Sequence, residues 1–234
     1  MPDAPPHPQP ARHSPAADRN KGPILTELQR QLPASGRLLE IASGTGQHAA
    51  FCAAGLPGWR WQPTDPDADA LVSITAWAAQ HPSIGLLPAR LLDVLAEPWW
   101  LDGAAPADLA KPAACAAPMT PIAPTAVWDA LFCANLLHIA PWACCAALMR
   151  GAARLLTPAG LLITYGPYLV DGEPTAPGNQ AFDADLRARN PGWGLRWLHD
   201  VEAEAATAGL SLRRQVAMPA NNRLLVFVRQ SPGG

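Results

Sequence analysis

Residues 37–42, Arg-Leu-Leu-Glu-Ile-Ala, pass directly into Ser43-Gly44-Thr45-Gly46, and a helical pattern follows over residues 48–54. Few arrangements satisfy that order. A strand that turns sharply into a helix needs positions free to adopt positive φ, which glycine supplies without steric cost. The helix must pack back on its own sheet, so the next strand runs parallel to the first through a right-handed connection. The same alternation continues: residues 60–64 read as a strand, 68–80 as a helix, 84–92 as a third strand region and 130–134 as a fourth. A helix over 142–156 is opened by Pro141 and closed by Thr157, Pro158, Ala159 and Gly160, and leads into a buried strand over 161–165. Ahead of the first strand, 23–32 reads as a short helix. The chain finishes with a helix over 200–208 and strands over 211–216 and 223–228 joined by residues 218–222. The pattern predicts an α/β fold, a mostly parallel sheet with helices on both faces and an antiparallel strand near its end.

Proline is the compositional outlier, 27 of 234 residues. Residues 1–17 read as a disordered Pro-rich leader, and residues 102–126 as a Pro/Ala-rich surface insertion within a single domain spanning 18–230. With 49% hydrophobic and 15% charged residues, a wholly disordered chain is excluded. No apolar run reaches the roughly 18 residues of a membrane span, and the first 20 residues hold no signal-peptide core, so a soluble, cytoplasmic protein is expected. Seventeen basic against 19 acidic residues attract neither nucleic acid nor anionic membrane, which favours a small-molecule partner. The five cysteines lack C-x-x-C spacing, so free buried thiols are expected, with no disulfide framework and no metal site.

Backbone N–H groups in a glycine turn can approach a ligand, and the following helix presents its positive end to it. Asp65 stands 21 positions after Gly44 at the end of the second strand, where a carboxylate accepts hydrogen bonds from ribose hydroxyls. Asp93, at the end of the third strand, lies along the same crevice within reach of an adenine amino group. Gly44-Thr45-Gly46-Gln47-His48-Ala49 formally satisfies the NAD fingerprint G-x-G-x-x-A, so an NAD-linked oxidoreductase is one reading. Against it stand bulky Gln47 and His48 where a pyrophosphate belongs, and Glu40, for which an NAD site has no matching need. No G-x-S-x-G elbow, P-loop or H-E-x-x-H is present, which weakens hydrolase, NTPase and zincin readings.

Several segments are shared with one family: Asp18-Arg19-Asn20-Lys21, Leu39-Glu40-x-Ala42-Ser43-Gly44-x-Gly46-Gln47-His48-Ala49, Trp61-Gln62-Pro63-x-Asp65, Ile163-Thr164-Tyr165-Gly166-Pro167-Tyr168, Arg189-Asn190-Pro191-x-Trp193-Gly194-Leu195-Arg196 and Met218-Pro219-Ala220-Asn221-Asn222. In these the chain resembles the class I S-adenosylmethionine (SAM)-dependent methyltransferases, and more closely the methyltransferase-like 26 family. The resemblance implies a Rossmann-like, mostly parallel seven-stranded sheet and SAM held by Glu40, Ser43, Gly44, Gly46, Asp65, Asp93 and Asn135. It also places a small, polar methyl acceptor, anionic in one reading, beyond strands four and five. There His138, Tyr165 and Asn221 are candidates for catalysis, and Arg19, Asn20, Lys21, Tyr168, Arg189 and Asn222 for acceptor binding. Each has a plainer alternative: a packing histidine, rim tyrosines, a hairpin Asn221-Asn222, and Arg189 paired with Asp183 or Asp185 on a solvated helix. A third reading is a catalytically idle SAM-binding protein that works through its Pro-rich segments.

Overall fold

A computed structural model describes residues 11–83, 85–97, 99 and 128–230. The helix α1, Pro15–Gln31, is capped by Ser14, whose hydroxyl accepts from the Ala17 N–H at 3.3 Å. It packs on the βα units β1 (Gly36–Ile41), α2 (Gln47–Gly55), β2 (Trp59–Asp65), α3 (Ala68–Gln80) and the two-residue β3 (Arg90–Leu91). From residue 128 onward come β4 (Trp128–Ala134), α4 (Ala143–Leu155), β5 (Leu156–Leu169), α5 (Pro177–Arg189), β6 (Arg196–Trp197) and α6 (Leu198–Thr207). Strands β7 (Leu210–Met218) and β8 (Asn222–Arg229) close the fold around a 3₁₀ turn at Pro219–Asn221.

The sheet order is β3-β2-β1-β4-β5-β8-β7, with β6 paired to the end of β5. Strands β1 to β5 run parallel and β8 is antiparallel to both β5 and β7. The first three strands step outward and β4 returns to the other side of β1, so the strand order reverses between β1 and β4. At such a reversal the flanking loops diverge and leave a crevice beyond the carboxyl ends.

Alternate residues of the central strands feed two cores. Leu38, Trp61, Phe132, Ile163 and Val226 face α1 and α2, which contribute Ile24, Leu28 and Cys52. Leu39, Leu131, Leu162 and Phe227 face α4 and α6, which contribute Leu148, Met149 and Val201. Burial on both faces explains why the strands read as nearly continuous apolar runs.

Several boundaries differ from the sequence reading. Helix α1 starts at Pro15, inside the stretch expected as leader, and Arg12 is already tied down: its N–H donates to Ser73 Oγ at 2.8 Å and its carbonyl accepts from Trp77 Nε1 at 2.8 Å. Residues 1–10 and the 102–126 insertion lie outside the described residues. Pro23, expected to start a helix, sits inside one; fully buried Ile24 and Leu28 hold that helix across the missing backbone donor. The third strand region reduces to Arg90–Leu91 and an isolated bridge from Leu86 to Trp61, since Pro82 and Pro88 interrupt the ladder. Strand β5 runs past its expected limits at both ends, through an irregularity where Ala159 takes φ 61°. Neither α5 nor β6 was predicted as an element: α5 buries only Leu186, so it leaves no apolar stripe, and β6 is two residues long. Among the described residues seven strands form one path, as expected, and β6 adds an eighth beside β5.

Candidate active site at the carboxyl edge of the sheet

The glycine turn has the geometry its sequence demands. Gly44 has φ 57° and Gly46 φ 89°. A Cβ at Gly44 meets nothing within 4 Å, so its outer side is open, whereas one at Gly46 falls 2.6 Å from the Ile74 Cα. One glycine permits approach from outside, the other close packing against α3. The Gly44 N–H donates to Asp65 Oδ2 at 2.8 Å and the Asp67 N–H to Asp65 Oδ1 at 3.0 Å. Each carboxylate oxygen therefore keeps a second lone pair for a ligand hydroxyl. Burial raises the Asp65 pKa, and its two backbone hydrogen bonds oppose the rise. The Ser43 N–H donates to the Thr64 carbonyl at 2.8 Å and Ser43 Oγ accepts from the Thr64 N–H, so the Ser43 side chain is spent inside the turn. Asp93, exposed after β3, closes its own turn by accepting from the Leu95 N–H at 2.9 Å.

Beneath the turn lies Glu40, 2% exposed, with Oε2 accepting from Trp61 Nε1 at 2.8 Å. Burial pushes its pKa up to about 7, against hydrogen bonds from Trp61 and Ser43; the nearby Asp65 charge adds to the rise. Helix α1 crosses above. Gln47 Oε1 accepts from the Ser14 N–H at 2.5 Å, and Gln47 Nε2 donates to Asp18 Oδ1 at 3.1 Å. His48 Nε2 pairs with Asn20 Oδ1 at 2.7 Å, an amide oxygen that only accepts, so that nitrogen carries the proton. Burial, reinforced by the Lys21 charge, depresses the His48 pKa to about 4. The start of α2 is thus filled by α1 side chains.

Across the strand-order reversal, Asn135 leaves β4 in the left-handed region at φ 62°, its N–H donating to the Tyr165 carbonyl at 2.7 Å. Asparagine tolerates this backbone better than most residues. His138 follows, 5% exposed, with its ring 5.5 Å from that of Phe182 on α5. Its ring occupies the space left by the missing side chain of Gly166, where a Cβ meets Nδ1 at 3.3 Å and Asn135 Oδ1 at 3.8 Å. Burial lowers the His138 pKa to about 4, and the Arg196 charge adds to the effect. His138 is therefore a neutral imidazole at pH 7.

The remaining predicted residues divide. Tyr165 is buried and its phenol is hydrogen-bonded by Asn20, which links it to His48 on the α1 side of the sheet. Tyr168 points to the opposite face, and its hydroxyl is bound to Thr164 Oγ1 at 2.9 Å in the core. Asn221 has φ 55°, and Asn222 Nδ2 closes the turn on the Pro219 carbonyl at 3.0 Å, as a hairpin reading requires. Both asparagines line a cavity of about 260 Å³ with Tyr168, Glu173, Asn179 and Arg223. Arg223 stands opposite Gly166 in the ladder, and opposed residues project to one face. The Arg223 side chain therefore lies on the same face of the sheet as His138. Arg189 pairs with Asp185 at 3.6 Å and lies over the Trp193 ring on the exposed side of α5. Lys21 is held by Asp18 at 2.6 Å over the Phe51 ring, and Arg19 is exposed.

Sequence reasoning missed Gln47 as the link between α1 and the turn, Phe182 against His138, and the Glu173–Arg223 pair. The first had a signal, an amide directly after a glycine turn. The others depend on α5 and β8 meeting the same edge, which no local pattern encodes.

This architecture is shared with solved methyltransferases. An O-methyltransferase family protein from Burkholderia thailandensis matches with a TM-score of 0.67 and 15% identity, over 93% of this chain and 58% of that one. Human N-acetylserotonin methyltransferase, solved with SAM, gives 0.64 and 14% over 92% and 53%. CalO1, a methyltransferase of calicheamicin biosynthesis solved with its SAH product bound, gives 0.64 and 16% over 92% and 55%. The chain spans little more than half the length of these proteins, and the likeness establishes a Rossmann-like class I methyltransferase fold. Among the described residues no helix is long and apolar enough to cross a membrane. Because a family model covers residues 11–229, the chain belongs to the family described as "Protein of unknown function (DUF938)".

Proposed function

We propose that this protein is a SAM-dependent methyltransferase acting on a small, polar acceptor, within the class to which the methyltransferase-like 26 segments point. The observation that carries the reading is the turn at the strand-order reversal, where Gly44 is open on its outer side and bonded to Asp65. The residues present fit the cosubstrate. Asp65 offers free lone pairs to ribose hydroxyls, Asp93 an exposed carboxylate near the base, and Gly44 and Asn135 flank the crevice. Glu40 supplies a buried carboxylate beneath the turn, suited to a cationic amino group. Ser43 and Gly46 shape the turn. Bound there, SAM supplies a methyl group made labile by its sulfonium. The protein aligns the acceptor lone pair and excludes water. Neutral His138 accepts the acceptor's proton, and the cavity at Asn221, Asn222 and Arg223 holds its polar end. Tyr165, with Asn20, bounds the site from the α1 side.

An NAD-linked reaction is disfavoured by one geometric fact. The first two side chains of α2, Gln47 and His48, are held by the Ser14 N–H, the Asp18 carboxylate and Asn20, which sets a negative charge beside the helix start where a pyrophosphate would sit. The buried free thiols Cys52, Cys133, Cys144 and Cys145 suit a reducing compartment such as the cytoplasm. Calorimetric titration with SAM, its demethylated product and NAD is the direct test, followed by labelled SAM with a metabolite extract. SAM binding and label transfer are expected; NAD binding in the absence of SAM binding rejects the reading, and SAM binding without transfer favours an idle binding protein.

A further inference from the structure

Arg196 has no place in the reaction as described, yet it is tied to the loop that carries His138. Its Nε donates to the Leu137 carbonyl at 2.9 Å, and one terminal nitrogen donates to the Ala140 carbonyl at 2.8 Å and the Gly192 carbonyl at 2.7 Å. The first two carbonyls bracket His138 and Ile139. Between them the His138 carbonyl accepts from the Gly194 N–H at 3.0 Å. Three points over four residues leave that loop little freedom. The guanidinium is itself oriented: it stacks on Trp142 at 5.5 Å, and the neighbouring Leu195 N–H is fixed by Asp183 at 2.7 Å. Pairing of Arg196 with Tyr168 anchors this strap to β5, the strand whose Gly166 receives the His138 ring.

We infer that Arg196 is a positioning residue for His138: its planar fork, spanning the Leu137 and Ala140 carbonyls, holds the imidazole against Gly166 and Asn135, facing the acceptor. The inference rests on the reading of His138 as the proton acceptor. A lysine cannot reproduce it, because a single ammonium neither spans two carbonyls in a rigid fork nor stacks as a plane on Trp142. The loop makes the ring buried and neutral, and the charged groups around it act through Arg196. Among the described residues the Arg196 charge bears on His138 directly, and Asp183 and Arg187 of α5 bear on Arg196, while the adjacent α4 thiols Cys144 and Cys145 stay protonated and uncharged at neutral pH.

The test is ring-nitrogen NMR of the full-length protein, with His138→Ala to assign the signal, followed through pH in wild type, Arg196→Gln and Arg196→Lys. SAM affinity and thermal midpoint are measured beside it. In Arg196→Gln the His138 pKa should climb from about 4 toward 6.5 as the ring is released, with SAM affinity within threefold of wild type. Arg196→Lys, which keeps the charge but not the fork, should show a substantial part of the same rise. A merely stabilising arginine lowers the thermal midpoint and leaves the ring's titration where it was. An unmoved His138 in a folded Arg196→Gln overturns the inference, as does a wild-type pKa in Arg196→Lys, which reduces the effect to charge. If Arg196→Gln does not fold, Arg196→Lys and Trp142→Leu decide by the same readout, a wild-type titration in both overturning the inference. The readout needs no acceptor, so a released ring together with full label transfer by His138→Ala fails the base reading alone.

Discussion

Replacing Glu40 by glutamine separates what the carboxylate costs the fold from what it does for a ligand. Glutamine keeps the shape and keeps an oxygen to accept from Trp61 Nε1, but it never ionises. In the wild type, burial raises the Glu40 pKa from 4.5 to about 7, so the folded protein holds a proton that the unfolded chain has released between those values. Stability from this group is fully present below pH 4.5 and is lost as pH rises through about 7. At about 1.4 kcal/mol per pH unit, the loss reaches about 3 kcal/mol above pH 8. Glu40→Gln is spared that loss. Urea unfolding at pH 4 and pH 8.5 should therefore give nearly equal stabilities at the lower pH and a mutant about 3 kcal/mol more stable at the higher. Other groups titrate alike in both proteins and cancel in the difference. SAM affinity should run the other way, weakened tenfold or more at pH 8 in the mutant, about 1.4 kcal/mol or more, because a cationic amino group loses its counter-charge. A stability difference that does not change with pH refutes the argument that the buried carboxylate ionises at a cost.

Asp65→Asn should weaken SAM by about 1.5 to 3 kcal/mol, the scale of hydrogen bonds to a charged group, and unchanged calorimetric affinity removes Asp65 from the ribose. Gly46→Ala should lower stability by more than about 2 kcal/mol, because φ 89° is strained for alanine and the new Cβ meets the Ile74 backbone; a thermal midpoint within a degree of wild type contradicts this. His138→Ala should leave SAM affinity intact and cut label transfer by about 10² to 10⁴. With the His138 pKa at about 4, the wild-type rate at saturating SAM should show no limb near pH 6.5 that His138→Ala abolishes, and such a limb disproves the buried placement. Because His48 and His138 are both held neutral with depressed pKa values, each should destabilise the fold as pH falls from 6.5 through about 4, and converting either to glutamine should flatten the acid side of the stability profile.

The parallel sheet, the glycine turn and the acidic residues at the strand ends were legible in the sequence because each is a local requirement. Strands buried on both faces must be apolar throughout, and a strand-to-helix turn with φ of 57° and 89° calls for glycine. Asp65 was found by the same logic, since its distance along the chain follows from the length of one βα unit. The acceptor side was legible only as residue types. That Tyr165 and Tyr168 serve opposite faces follows from strand period, but that the Tyr168 hydroxyl is spent on Thr164 depends on how the core closes around it. Helix α5 escaped detection because it buries a single residue, yet it brings Phe182 onto His138. Lowering of the His138 pKa, the hold of α1 on the Gln47 and His48 side chains and the grip of Arg196 on residues 137–140 all join positions far apart in the chain. Tertiary packing alone decided them, because burial and electrostatics depend on what surrounds a group in space and not on its neighbours in sequence.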